Sequence, residues 1–117
     1  MPDTDPQTVP VLVLVRDLLL GSRVTAEARA QGIPVKLIRD PAKLTGQAGR
    51  SLVVDLNLDG AIAAASAWTK ATGRPVTGFV AHTDAPTMAA AREAGIQDVL
   101  ARSQLVQQLP QLLARSG

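Results

Sequence analysis

The sequence contains no cysteine and very few aromatic side chains. The missing cysteine excludes disulfides, thiolate metal sites, iron–sulfur clusters and cysteine nucleophiles. The aromatic residues are one tryptophan and one phenylalanine, whereas modules that stack nucleic-acid bases need several. The basic residues are scattered singly rather than clustered in a patch. A net charge of +2 therefore does not indicate a nucleic-acid partner.

Long apolar runs are also missing. The longest are residues 11–15 and 18–20, and both are far too short to span a bilayer. Residues 1–10 are polar and contain two aspartates and three prolines, which is the opposite of a signal peptide. We therefore expect a cytoplasmic protein with no membrane partner. Residues 1–9 are predicted to be a flexible leader, and residues 10–117 a single domain.

What the chain does have is an alternation of apolar runs with alanine-rich stretches. Hydrophobic residues make up 46% of the chain and charged residues 19%, which excludes wholesale disorder. The apolar runs predict strands over 11–15, 34–38, 51–56, 76–81 and 96–101. Strands that alternate with helices predict an α/β fold, a doubly wound five-stranded parallel sheet with helices on both faces.

Glycine, proline and capping side chains set the ends of the predicted helices. The ranges are 21–31, 59–72 with Asp59 as the N-cap, and a third helix that is capped by Thr83 or Asp84 and ends at Gly95. Leucines at helical spacing predict a last helix, and Pro110 inside this pattern predicts that it starts late or kinks. Residues 40–49 are predicted to form a short helix or a loop.

In an open parallel sheet of this kind, function lies at the carboxyl ends of the strands, near the point where the strand order reverses. The side chains to consider therefore follow the apolar runs. They are Arg16 and Asp17, residues 55–57, residues 81–83, and Arg102 with Ser103.

Two segments at these strand ends resemble the receiver domain of bacterial response regulators. "VVDLNLDG" is similar to the receiver pattern "LLDLNMPGMDG", and "FVAHTDAPTMAAAREAGIQDVLAR" is similar to the receivers' fourth strand, fourth helix and fifth strand. The order of elements agrees over roughly residues 10–115. The resemblance implies a flavodoxin-like receiver fold and a place in two-component signal transduction.

The resemblance also implies roles for single residues. Asp55 takes the place of the phosphoacceptor, the aspartate that receives the phosphoryl group. Arg16 and Asp17 take the places of two acidic residues that help to hold Mg²⁺. The remaining pocket positions are replaced: Val80, or Ala81 if the alignment shifts by one, stands where receivers have serine or threonine, and Arg102 stands where they have lysine.

This pattern predicts a degenerate phosphorylation pocket. Mg²⁺ prefers carboxylate and water oxygens. In this pocket, the positive charges of two arginines would neutralise the negative charges of two aspartates even without a metal. We expect Arg16 and Arg102 to form ion pairs with Asp17 and Asp55 that lock the pocket, and a guanidinium close to Asp55 would repel Mg²⁺. The chain is then predicted to be a pseudo-receiver that needs no metal or other cofactor and is not an enzyme.

Three functions remain open at this point. The first is a stand-alone signalling module that acts through protein–protein contact, with another signalling protein or a second copy as partner. The second is a working response regulator phosphorylated on Asp55, with Mg²⁺ held by Asp17 and Asp55. The third is a domain that binds a nucleotide or another small molecule in the same crevice.

Two helices offer a candidate interaction surface. Trp68 lies partly off the apolar stripe of its predicted helix, so that it either contacts a partner or fills a gap over small alanines. Met88 and Ala91 share a face of the following helix, and the small alanine there would allow another helix to approach closely.

Overall fold

The computed structural model describes residues 9–81 and 84–116. Its strands are β1 (Val11–Leu14), β2 (Val35–Ile38), β3 (Ser51–Asp55), β4 (Val76–Val80) and β5 (Asp98–Ala101). Its helices are α1 (Leu18–Ala30), α2 (Ala61–Thr72), α3 (Ala85–Glu93) and α4 (Arg102–Ser116). A single 3-10 turn, Pro41–Lys43, lies between β2 and β3. The leader predicted for residues 1–9 lies outside the described residues apart from Val9.

The strands form one parallel sheet in the order β2-β1-β3-β4-β5. This confirms the predicted doubly wound, five-stranded α/β fold. The strand order reverses between β1 and β3, so the crevice at their carboxyl ends is the expected functional edge. All the residues of β1 and β4 are buried. Burial on both faces explains why β1 is a continuous apolar run, whereas β4 also contains Thr77 and Gly78.

Each face of the sheet has its own apolar core. On one face, Val13 and Phe79 pack with leucines of α4 and with apolar residues of α1. On the other face, Leu14 and Val54 pack with α2, with α3 and with Leu44 beside the 3-10 turn. None of the described helices is long and apolar enough to cross a membrane.

Helix α1 begins three residues earlier than the prediction, at Leu18 rather than Gly21. The cause is Asp17, whose Oδ1 accepts hydrogen bonds from the backbone N–H groups of Leu19 (2.9 Å) and Leu20 (3.2 Å). An aspartate that satisfies these N–H groups stabilises the start of a helix. The earlier start leaves Leu18 and Leu19 exposed on the first turn, at 67% and 83% of their surface.

The N-caps of the next two helices differ in how well the sequence predicted them. Asp59 is not the cap of α2, because Gly60 holds that position with a φ of 81° and no side chain bonds the first turn. Asp84 is confirmed as the cap of α3, since its Oδ1 accepts from the Thr87 N–H at 3.2 Å. Thr83 lies outside the described residues.

Helix α4 does not start late. It begins at Arg102, directly after β5, and contains Pro110 in its interior. Proline there removes one backbone hydrogen bond, but Leu105 and Leu109 bury fully or almost fully against the sheet, and this burial keeps the helix continuous. The carbonyl of Pro110 accepts a hydrogen bond of 2.9 Å from Nε2 of Gln31, which joins α4 to the end of α1.

Of the two alternatives predicted for Trp68, the structure has the one in which the side chain fills a gap in the core. Trp68 is 3% exposed, and its Nε1–H donates a 2.9 Å hydrogen bond to the Gln47 carbonyl. The connection between β2 and β3 has only a 3-10 turn on this face, so the indole packs beneath it. Ala91 is fully buried, and Met88 is half-buried against the same core.

Candidate functional site

Asp55 is the last residue of β3, at the edge where the strand order reverses. It is half-buried, and its Oδ1 accepts a 2.9 Å hydrogen bond from the backbone N–H of Asn57. Among residues 9–81 and 84–116, no cation forms an ion pair with Asp55. The prediction that Arg16 or Arg102 contacts Asp55 is therefore wrong.

Arg102 instead forms an ion pair with Asp17. Its Nη2 donates to Oδ2 of Asp17, and both side chains are about one-third exposed, at 38% and 32%. The hydrogen bond from Arg102 and the backbone N–H groups of Leu20 and Leu19 hold the pKa of Asp17 below its usual value. Both oxygens of this carboxylate are thus engaged, one by helix capping and the other by a guanidinium.

Arg16 points its guanidinium at the neighbouring strand end. The side chain is exposed, and its Nε donates a 3.1 Å hydrogen bond to the backbone carbonyl of Arg39. Of the ion pairs expected among the two arginines and the two aspartates, the one between Arg102 and Asp17 forms. The other arginine joins the ends of β1 and β2 because a carbonyl at an open strand end is an available acceptor.

Asn57 is a site residue whose role sequence reasoning missed. Its Oδ1 accepts from the backbone N–H of Ala81 at 2.8 Å, and its Nδ2 donates to Oδ2 of Asp84 at 3.2 Å. The side chain thus connects the loop after β3 with the start of α3. The sequence signal for this role was an asparagine two residues after Asp55, because asparagine side chains in turns commonly form hydrogen bonds with nearby backbone groups.

Asp84 is held by three kinds of contact. Besides accepting from Asn57, it accepts from the Thr87 hydroxyl at 2.6 Å and from the Thr87 N–H at 3.2 Å. These bonds to Thr87, with a smaller contribution from Asn57, lower the pKa of Asp84. The carboxylate is therefore a structural acceptor at the start of α3.

The positions that match the receivers' serine or threonine supply no hydroxyl. Val80 is fully buried. Ala81 is exposed and uses its backbone N–H to bond Asn57. A phosphoryl group on Asp55 would find no hydroxyl donor at these two positions.

The donor set at this edge does not fit the Mg²⁺ ion that the receiver resemblance implies. Mg²⁺ is bound through carboxylates and water in octahedral geometry, but Arg16 replaces one carboxylate, and both oxygens of Asp17 are already bonded. Within the described part of the chain, no group of three histidine, cysteine, aspartate or glutamate side chains could hold a metal ion.

The architecture can be compared with known proteins. No protein-family model matches the sequence, and no curated protein matches it. The BeF3-activated DrrB receiver domain superposes with a TM-score of 0.78 and 16% identity, over 93% of this chain and 97% of that one. This chain has the fold of a receiver domain.

Two further response-regulator structures have the same fold. A response regulator receiver domain protein from Methanospirillum hungatei JF-1 has a TM-score of 0.73 and 12% identity, over 92% of this chain and 95% of that one. A response regulator from Thermotoga maritima has a TM-score of 0.73 and 14% identity, over 93% and 97%. The fold implied by the sequence resemblance is thus confirmed, and at such identities the likeness concerns the fold alone.

Proposed function

We propose that this chain is a receiver-fold signalling module that acts by contact with another signalling protein, with phosphoryl transfer weakened or lost. The observation that carries the proposal is the ion pair between Arg102 and Asp17. This ion pair engages Asp17, the one carboxylate that remains at the two acidic positions where the resemblance places Mg²⁺ ligands. On this reading the chain is a binding module rather than an enzyme.

The chemistry of phosphoryl transfer explains why this pairing matters. The carboxylate of Asp55 would attack a phosphorus atom that is surrounded by negatively charged oxygens, and a divalent ion normally neutralises that charge. Arg102 is engaged with Asp17, and Val80 has no hydrogen-bond donor in its side chain. Within residues 9–81 and 84–116, Asp55 therefore lacks the neighbours that would stabilise an attached phosphoryl group.

The test is incubation of the protein with acetyl phosphate and Mg²⁺, followed by intact-mass measurement. The expected result is an unmodified mass for both the wild-type chain and Asp55→Asn. An added phosphoryl mass on the wild-type chain that is absent from Asp55→Asn would overturn the proposal.

One observation favours a second candidate, a working receiver phosphorylated on Asp55. Oδ1 of this carboxylate accepts from Asn57, and no described cation neutralises the group, so an oxygen is left free to react. This candidate requires Mg²⁺, and isothermal titration distinguishes the two. Binding in the low-millimolar range or tighter supports the working receiver, and no heat of binding in that range supports the proposed module.

A further inference from the structure

The outer edge of β2 is open. This strand pairs with β1 alone. The carbonyl of Pro34 accepts a hydrogen bond from Val11 of β1 at 2.9 Å, and the carbonyl of Ile38 accepts one at 3.0 Å from Val15, the residue after β1. Because alternate residues of a strand face the same neighbour, the backbone N–H and C=O groups of Val35 and Leu37 point away from the sheet. No described residue pairs with them. Such an edge is a template for another strand.

A partly apolar groove runs beside this edge. Gly21 of α1 faces Leu37, since a Cβ on this glycine would lie 3.5 Å from the leucine Cδ1. Leu37 is nevertheless 45% exposed, and Leu18, one turn earlier on α1, is 67% exposed. Farther along, the groove lies between α1 and the start of β2 and has a volume of about 420 Å³ there. Its lining residues are Thr25, Arg29, Gly32, Ile33, Pro34 and Val35.

Charge on this edge indicates what kind of chain would occupy it. Arg29 lines the groove, Lys36 is exposed on β2, and Arg16 and Arg39 are exposed where β1 and β2 end. The adjacent carboxylate of Asp40, which accepts from the Ala42 N–H at 3.0 Å, is negative but is outnumbered by these four cations. Two copies of β2 side by side would bring like charges together, which is unfavourable. An acidic chain would be complementary.

We propose that the open edge of β2 and its groove bind an extended, acidic segment of a partner protein by strand addition. The partner's backbone would pair with Val35 and Leu37, and its alternate apolar side chains would enter the groove between Leu18 and Arg29. Main-chain pairing of this kind supplies affinity, and pockets for alternate side chains supply specificity. The site is separate from Asp55, so its test does not depend on phosphorylation.

The first measurement is fluorescence anisotropy with a labelled peptide of about eight residues, a strand length, that alternates glutamate with valine. A matched peptide with lysine in place of glutamate is the control. We expect the acidic peptide to bind at least about tenfold more tightly and to weaken as salt is added. Arg29→Glu should weaken binding about fivefold, whereas Arg74→Glu, an exposed site in the loop between α2 and β4, should not.

The second measurement is amide hydrogen exchange on the unmodified chain. The acidic peptide should slow exchange at Val35 and Leu37, and leave Lys36 and Ile38 unchanged because their N–H groups face β1. Equal binding of both peptides, no binding, or no protection at Val35 and Leu37 would each overturn the proposal. A dimer that forms with rising concentration and is lost in Leu37→Lys would also overturn it, by identifying a second copy as the occupant.

Discussion

Replacing Trp68 tests which of its two predicted roles is right, a contact with a partner or a place in the core. The indole is 3% exposed, and its Nε1–H bonds the Gln47 carbonyl at 2.9 Å. Trp68→Ala removes a large buried side chain and leaves a cavity, a change that costs about 3–5 kcal/mol in protein cores. For a domain of this size, 1 kcal/mol corresponds to about 4 °C in Tm. We therefore expect Tm to fall by about 12–20 °C.

Thermal unfolding followed by circular dichroism measures this loss. Trp68→Phe keeps an aromatic ring but loses the N–H donor, so it should cost less, about 1–3 kcal/mol. Lys70→Ala, an exposed position on the same helix, should change stability by less than about 0.5 kcal/mol. Iodide should quench the single tryptophan poorly in the folded chain. A Tm for Trp68→Ala within about 4 °C of wild type, or quenching like that of free tryptophan, would place the side chain on the surface and refute the reasoning.

Three further predictions concern the candidate site. The pKa of Asp17 is lowered on folding. Asp17 therefore contributes stability that is present above its unfolded pKa, near 3.8, and is lost as the pH falls through the lower folded pKa. Arg102→Met should raise the folded pKa of Asp17 in an NMR titration, and an unchanged pKa would contradict the ion pair. Val80→Thr buries a hydroxyl in an apolar site and should cost about 1–3 kcal/mol in urea unfolding; a stability equal to wild type would mean that the hydroxyl finds a partner. Asn57→Ala removes the acceptor of the Ala81 N–H, so exchange at this amide should become faster while amides within β3 keep their rates.

The sequence was sufficient to predict the strands and their arrangement. Residues buried on both faces of a parallel sheet must be apolar without alternation, so the predicted run 11–15 differs by only one residue from β1, Val11–Leu14. The start of α3 was also predictable, because Asp84 followed by Pro86 is a local capping pattern. Such signals depend on neighbours in the sequence, which are visible without a structure.

The side-chain partners were not predictable in the same way. Arg102 had two aspartates within plausible reach, and the choice of Asp17 over Asp55 depends on where β5 and α4 place its guanidinium. For Trp68, helical spacing grouped the indole correctly with small alanines. It did not reveal that the connection around Gln47 folds over the indole, because that contact joins segments that are far apart in the chain.

The roles that Asp17 already fills in the fold set a limit on what the site can do. One oxygen caps α1 and the other bonds Arg102, so a metal ion that took this carboxylate would compete with the start of a helix and with an ion pair. Among the described residues, the side chain of Asp55 has no such second role, since Oδ1 accepts from the Asn57 N–H in a local turn. Asp55, which the resemblance places at the phosphoacceptor position, is therefore the less constrained of the two aspartates, while Asp17 has structural roles in the fold. This division of roles is the arrangement expected if the receiver architecture is retained for contact with partners rather than for phosphoryl chemistry.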